Sequence, residues 1–155
     1  MTKRLAIFVF LALAIGGALA QAAPNYTGEW KMNASKSDFG PVPAPDKLTR
    51  KITHEDPNLA AVTTQSGQQG EVTTEVKYTT DGKDSVNTIR GVEVKSVVKW
   101  EGDKLIITYK RDIQGNELAF KETWTMGDEG KTLTITTAIS GAMGEFALKL
   151  VLEKQ

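Results

Sequence analysis

The stretch WEGDKLIITYKRDIQGNELAFKETWTM, residues 100–126, holds two chain reversals and three runs of alternating apolar and polar residues. Gly102-Asp103 and Gly115-Asn116 read as two-residue hairpin turns. Leu105, Ile107 and Tyr109 share one face of the middle run, and Phe120, Glu122, Trp124 and Met126 one face of the last. Directly opposite residues of an antiparallel pair point to the same side. The first turn therefore sets Trp100 opposite Leu105, Val98 opposite Ile107 and Ser96 opposite Tyr109. The second sets Arg111 opposite Phe120, Tyr109 opposite Glu122, Ile107 opposite Trp124 and Leu105 opposite Met126. Both registers gather the large apolar side chains on one face, which is the mark of strands and not of a helix.

The same test works outward in both directions. Glu129-Gly130 pairs Trp124 with Ile135, and Ala142-Met143 pairs Leu133 with Leu152 and Ile135 with Leu150. Asp81-Gly82 pairs Tyr78 with Ser85 and Val76 with Asn87, and Asp56-Pro57 pairs His54 with Leu59 and Ile52 with Ala61. The pattern predicts an all-β, antiparallel up-and-down meander of about ten strands, from Tyr26–Asn33 to Glu145–Lys154. An open meander of that length leaves two unpaired edges, and pairing the last strand with the first removes them. A barrel this wide is not readily filled by side chains, so it is expected to enclose a cavity. Pro41, Pro43 and Pro45 make residues 34–46 an extended loop, because proline gives no ladder hydrogen bond.

Lys3 and Arg4, the apolar run Ala6–Leu19 and the small residues that end it read as a secretory signal peptide over residues 1–20. Cleavage is expected after Ala20 or Ala22, leaving a single β-barrel domain over 21–155 in the periplasm or the extracellular space. No stable membrane insertion is expected after cleavage. Removing Lys3 and Arg4 from the 19 basic residues leaves 17 against 19 acidic ones. That near-neutral balance argues against a nucleic-acid partner. The chain has no cysteine, so packing and hydrogen bonds alone must hold it outside the cell.

Gly28-x-Trp30, in TGEWKM, resembles the first strand of the calycin barrels: lipocalins, fatty-acid-binding proteins and avidins. The ending VLEKQ is similar to the close of fatty-acid-binding proteins. GEWKMNASKSDFGPVPAP, DGKTLTITT and the terminal EKQ resemble a group of small secreted bacterial proteins common in soil acidobacteria. The resemblance implies a lipocalin-like barrel and brings no activity with it. Lipocalins pack an arginine on the Gly-x-Trp tryptophan, where this chain offers Lys149 and Lys154 in its last strand. Fatty-acid-binding proteins hold a carboxylate with an Arg-x-Tyr whose positions here are Leu150 and Leu152. Their helical lid is replaced by the proline loop.

Gly28 and Trp30 are expected to close the barrel floor, Gly28 by letting another group approach its backbone. Charge also falls on the inward face, at Arg50, Arg111 and Glu122. Buried charges are costly unless paired, so one reading is an Arg111–Glu122 salt bridge with a hydrogen bond from Tyr109. The other is an anion site in which Arg50 or Arg111 forks a ligand carboxylate. Thr63, Gln65, Thr74, Ser85, Asn87, Ser96 and Thr137 are inward too, which suits a hydrated cavity better than a dry core. A pocket lined by Trp100, Tyr109, Phe120, Trp124, Ile135 and Leu148 is expected. His54 has no second histidine and no cysteine beside it, so no metal site is expected, and no cofactor motif is present. The leading reading is an exported, non-enzymatic binding barrel for a small apolar or amphipathic molecule. Its rivals are a secreted interaction module (an enzyme inhibitor or envelope scaffold) working through the proline loop and the Gly67–Gly70 turn, and a barrel enzyme using Glu122.

Overall fold

The computed structural model describes residues 22–155. The leader read at residues 1–20 lies outside them. Runs rich in Thr, Val and Ile form the strands, and Gly, Asp and Asn end them. In chain order they are β1 (Gly28–Met32), β2 (Lys47–Glu55), β3 (Asn58–Gly67), β4 (Gly70–Thr79), β5 (Asp81–Ile89), β6 (Val92–Glu101), β7 (Lys104–Ile113), β8 (Asn116–Gly127), β9 (Thr132–Gly141) and β10 (Gly144–Lys154). All ten belong to one antiparallel sheet in the order β4-β3-β2-β1-β10-β9-β8-β7-β6-β5. The last strand closes on the first, with Trp30 opposite Lys154 and Met32 opposite Leu152. No strand pairs out of sequence except at that closure, so the barrel is an up-and-down meander.

Most of the expected registers are present. Trp100 faces Leu105, Val98 faces Ile107 and Ser96 faces Tyr109; Trp124 faces Ile135; Leu133 faces Leu152 and Ile135 faces Leu150; His54 faces Leu59 and Ile52 faces Ala61. Two differ. In the β7–β8 hairpin Ile113 faces Asn116, so Gln114 and Gly115 make the turn. Both have positive φ, 56° and 79°, the geometry whose twist suits a two-residue hairpin. Arg111 thus faces Leu118, Tyr109 faces Phe120, Ile107 faces Glu122 and Leu105 faces Trp124. The shift is two residues, so no side chain changes face. The second difference is that β4 and β5 share no ladder and form the two ends of the strand order. The barrel is nearly closed, with one seam.

The inward face is the core. Trp30, Ile52, Leu59, Val98, Leu105, Ile107, Trp124, Leu133 and Leu152 are buried in one cluster. Tyr26, just before β1, is fully buried and packs its ring on Trp100 and edge-on to Trp124, with centroids 5.9 and 5.5 Å apart. Trp30 donates from Nε1 to the Tyr26 carbonyl at 2.9 Å. The Lys154 ammonium lies 5.5 Å from the Trp30 ring centroid, within cation–π range. A Cβ on Gly28, whose φ is 149°, would come within 2.6 Å of Lys154 Cε. Only glycine lets that lysine cross the strand to reach the ring. This aromatic layer seals one end of the barrel.

Candidate functional site

Above the sealed floor lies an interior cavity of about 350 Å³. β2 and β3 give it Arg50, Ala61, Thr63 and Gln65, β4 gives Thr74, Val76 and Tyr78, and β7 and β8 give Tyr109, Arg111, Glu122 and Trp124. Alternation places every one of these on the inward face. Of the residues expected to form a site, Arg50, Tyr109, Arg111, Glu122 and Trp124 are brought together here. The others are not. Trp100 and Ile135 belong to the core, Trp100 stacked on Tyr26 in the floor. Phe120 stacks on Tyr109 at 4.8 Å, outside the cavity lining. Leu148 lines a neighbouring chamber of about 510 Å³ under the proline loop, with Phe39, Val42, Pro43 and Val72. Gln65 and Arg90 line both chambers.

Glu122 is the organising group. Its Oε1 accepts from the Tyr109 hydroxyl at 3.0 Å and its Oε2 from Trp124 Nε1 at 2.9 Å. Burial pushes the Tyr109 hydroxyl well above its ordinary pKa, and the adjacent carboxylate pushes the same way. Tyr78 is raised for the same reasons, burial first. The anticipated Arg111–Glu122 salt bridge is absent from the ion pairs of the described residues. The two-residue register shift explains this. Arg111 now lies four residues along β7 from Ile107, the residue opposite Glu122, which is roughly 13 Å of strand.

Arg50 comes toward Glu122 from the opposite wall, without a close ion pair. Its Nε donates to Thr63 Oγ1 at 2.8 Å, and its guanidinium sits 5.4 Å from the Trp124 ring centroid. Burial lowers its pKa, opposed by the charge of Glu122. Arg111 reaches the cavity with its Nε buried and without a hydrogen-bond partner. Two guanidiniums and one carboxylate therefore line the cavity, and that carboxylate is already held by two donors. The interior carries an excess positive charge, with Arg90 adding to it at the opening. The residues missed from sequence are Tyr78 and Arg90. Tyr78 shares the inward parity of Val76, whereas Arg90 sits in a turn beside Gly91, where parity says nothing.

The floor binds a second polar group. His54 Nδ1 accepts from the Tyr26 amide at 3.2 Å, so Nε2 carries the proton and donates to Asp56 Oδ1 at 2.9 Å. Asp56 also accepts from Thr80 Oγ1 at 2.7 Å. Burial opposes the Asp56 charge, but these hydrogen bonds outweigh it and hold the carboxyl below its ordinary pKa. Both ring nitrogens of His54 are thus engaged. Among the described residues no group of three or more His, Cys, Asp or Glu side chains is placed to hold a metal. No helix among them is long and apolar enough to cross a membrane.

A nearly closed, ten-stranded up-and-down barrel over an inner chamber is a calycin-like fold. The sequence matches no protein-family model and no curated protein. Solved structures share the fold. Secretory abundant heat soluble protein 4 from Ramazzottius varieornatus superposes with a TM-score of 0.60 at 17% identity, over 88% of this chain and 99% of that one. The zebrafish ileal bile acid-binding protein, in complex with cholic acid, gives 0.59 at 23% identity, over 84% and 98%. The fluorescent protein UnaG gives 0.59 at 19%, over 84% and 97%.

Proposed function

We propose that this chain is an exported, non-enzymatic binding barrel for a small amphipathic molecule bearing an acidic group. The observation that carries the reading is the interior cavity of about 350 Å³, lined by Arg50 and Arg111 and by a Glu122 already engaged by Tyr109 and Trp124. That volume lies within the range of small-molecule pockets, roughly 300–1,000 Å³. The polar lining suits a charged head, and the chamber beneath Phe39, Val42 and Pro43 suits an apolar remainder. The bile acid-binding relative in fold is in complex with an amphipathic acid, which agrees with this reading. The interaction-module alternative loses support because its two contact sites, the proline loop and the Gly67–Gly70 turn, fold over the second chamber. Glu122 as an acid or base is disfavoured by the two donors that occupy its oxygens.

Fluorescence titration with anilinonaphthalene sulfonate, an amphipathic anion, tests the proposal. Saturable binding that quenches the tryptophans is expected, since Trp124 lines the cavity. Arg111→Met should weaken the probe about tenfold and leave stability nearly unchanged, because Arg111 holds no partner. Equal affinity for a neutral analogue, or no loss in Arg111→Met, would overturn the anion site. Native mass spectrometry of protein taken from its source would then identify the molecule.

A further inference from the structure

The seam between β4 and β5 is fastened in an unusual way. These strands are the ends of the sheet order and share no ladder, although a short turn joins them. Side chains bridge them instead. Asn87 Oδ1 accepts from the Lys77 amide at 2.7 Å while Asn87 Nδ2 donates to the Lys77 carbonyl at 2.9 Å. Ser85 Oγ accepts from the Thr79 amide at 3.0 Å. Below them Thr80 is tied to the β2–β3 turn, its amide to the Pro57 carbonyl at 2.8 Å and its hydroxyl to Asp56 at 2.7 Å. Among the described residues no hydrogen bond joins the two strands on the far side of Asn87, toward Gly70 and Ile89. The seam is a zipper, tied at the turn and open beyond Asn87.

The cavity lies directly behind that open part. Thr74, Val76 and Tyr78 line it from β4, and Ile89 and Arg90 from the end of β5. The mouth, by contrast, is strapped. Asp38 exchanges two backbone hydrogen bonds of 2.7 Å with Lys149 at one end of the proline loop, and the Asp46 amide bonds the Ser66 carbonyl at 2.9 Å at the other. Phe39 packs against the core between them. Lifting the strap breaks backbone bonds and exposes an aromatic ring. Widening the seam beyond Ser85 needs only that Asn87 swing about its side-chain torsions, with no ladder to break. An asparagine amide can present an N–H donor and a C=O acceptor side by side, as a backbone peptide does. It closes the gap as a strand would and releases it as a strand cannot.

We infer that ligand enters and leaves through the β4–β5 seam, and that Asn87 is the clasp that sets the rate. This rests on the cavity being the binding site. The clasp bonds the Lys77 backbone and does not line the cavity, so it acts on rate and not on the final contacts. Removing two hydrogen bonds near the surface favours opening by roughly five- to thirtyfold. In Asn87→Ala, association and dissociation of anilinonaphthalene sulfonate, followed by stopped-flow fluorescence, should both quicken by about that factor, with Kd within about twofold. Asn87→Asp keeps the acceptor and loses the donor, and should fall between. Ser85→Ala tests the lower bond independently. Hydrogen exchange should quicken at the Lys77 and Thr79 amides in these variants and stay unchanged in β7 and β8. Unchanged rates in a folded Asn87→Ala that binds the probe would overturn the seam route. So would acceleration by Phe39→Ala in place of Asn87→Ala, which would place entry at the mouth. Wild-type protein that binds no probe would instead overturn the cavity as the binding site, and the entry route with it.

Discussion

Glu122→Gln separates charge from hydrogen bonding at the centre of the cavity. The amide oxygen can accept from Trp124 Nε1, as Oε2 does at 2.9 Å in the wild type. Its NH₂ can donate to the Tyr109 oxygen, since a hydroxyl reverses from donor to acceptor. No polar atom need be orphaned. What disappears is the carboxylate charge. Hydrogen bonds to a charged group contribute about 1.5–3 kcal/mol and neutral ones about 0.5–1.5. Two such bonds therefore lose about 2 kcal/mol together. Arg50, buried and held over Trp124, also loses its balancing charge. Removing one partner of a fully buried pair costs about 3–5 kcal/mol. Arg50 forms no close ion pair with Glu122, so its share is smaller. The expected destabilisation is about 2–4 kcal/mol, read from urea unfolding with an unchanged m-value.

The same substitution should tighten an anionic probe. The cavity goes from one excess positive charge to two, and about 1.4 kcal/mol of added attraction is tenfold in Kd. A fold weakened while binding strengthens is hard to obtain from a purely structural residue. Glu122→Leu, which does orphan Tyr109 and Trp124, should cost about 1–3 kcal/mol more for each stranded donor. Adding Arg50→Met to Glu122→Leu should recover part of the loss, whereas adding Arg111→Met should recover little. A Glu122→Gln protein within about 0.5 kcal/mol of wild type and with unchanged probe affinity would refute the electrostatic reasoning. Rescue by Arg111→Met in place of Arg50→Met would refute the assignment of Arg50.

Trp30→Ala should cost about 3–5 kcal/mol in chemical denaturation, since the ring is buried and bonded to Tyr26; a loss under about 1 kcal/mol would remove it from the floor. The chain has three tyrosines, and burial raises Tyr26, Tyr78 and Tyr109 alike. A raised folded pKa gives stability that is complete below the ordinary value of 10.0 and fades as pH climbs through the folded value. Absorbance at the tyrosinate band should therefore show no step at ordinary tyrosine pH and then rise together with alkaline unfolding; a separate early step would mean an exposed ring. Asp56 has the opposite sign: its lowered pKa gives stability present above the ordinary value of 3.8 and lost as pH falls below it. Asp56→Asn should flatten the acid limb of a stability–pH curve, and an unchanged limb would show that the His54 and Thr80 bonds contribute nothing.

Alternation along each strand says which wall a side chain faces, and that much was readable. Arg50, Arg111 and Glu122 all turn inward as their parity requires. What parity does not carry is position along the wall. Gln114-Gly115 and Gly115-Asn116 are both acceptable turns by composition, and they differ in register by two residues, which leaves every face unchanged. Only the preference of a hairpin for positive φ at both central positions, with glycine second, separates them. That small choice moves Arg111 from two residues away from the partner of Glu122 to four, and an ion pair becomes a free guanidinium. Parity is silent, too, about which opposite wall a residue meets. Arg50 is far from Glu122 in sequence, and it comes over Trp124 only because β1 and β10 join and carry β2 round to face β8. Asn87 shows the same blindness in a third form. An inward asparagine reads as a cavity-lining polar group, yet here it stands in for a missing ladder. Each of these residues lies where local pattern stops constraining the chain. At Arg111 and Asn87 the fold leaves a polar group unpaired or a strand edge unladdered, and the proposed binding and entry rest on those two places.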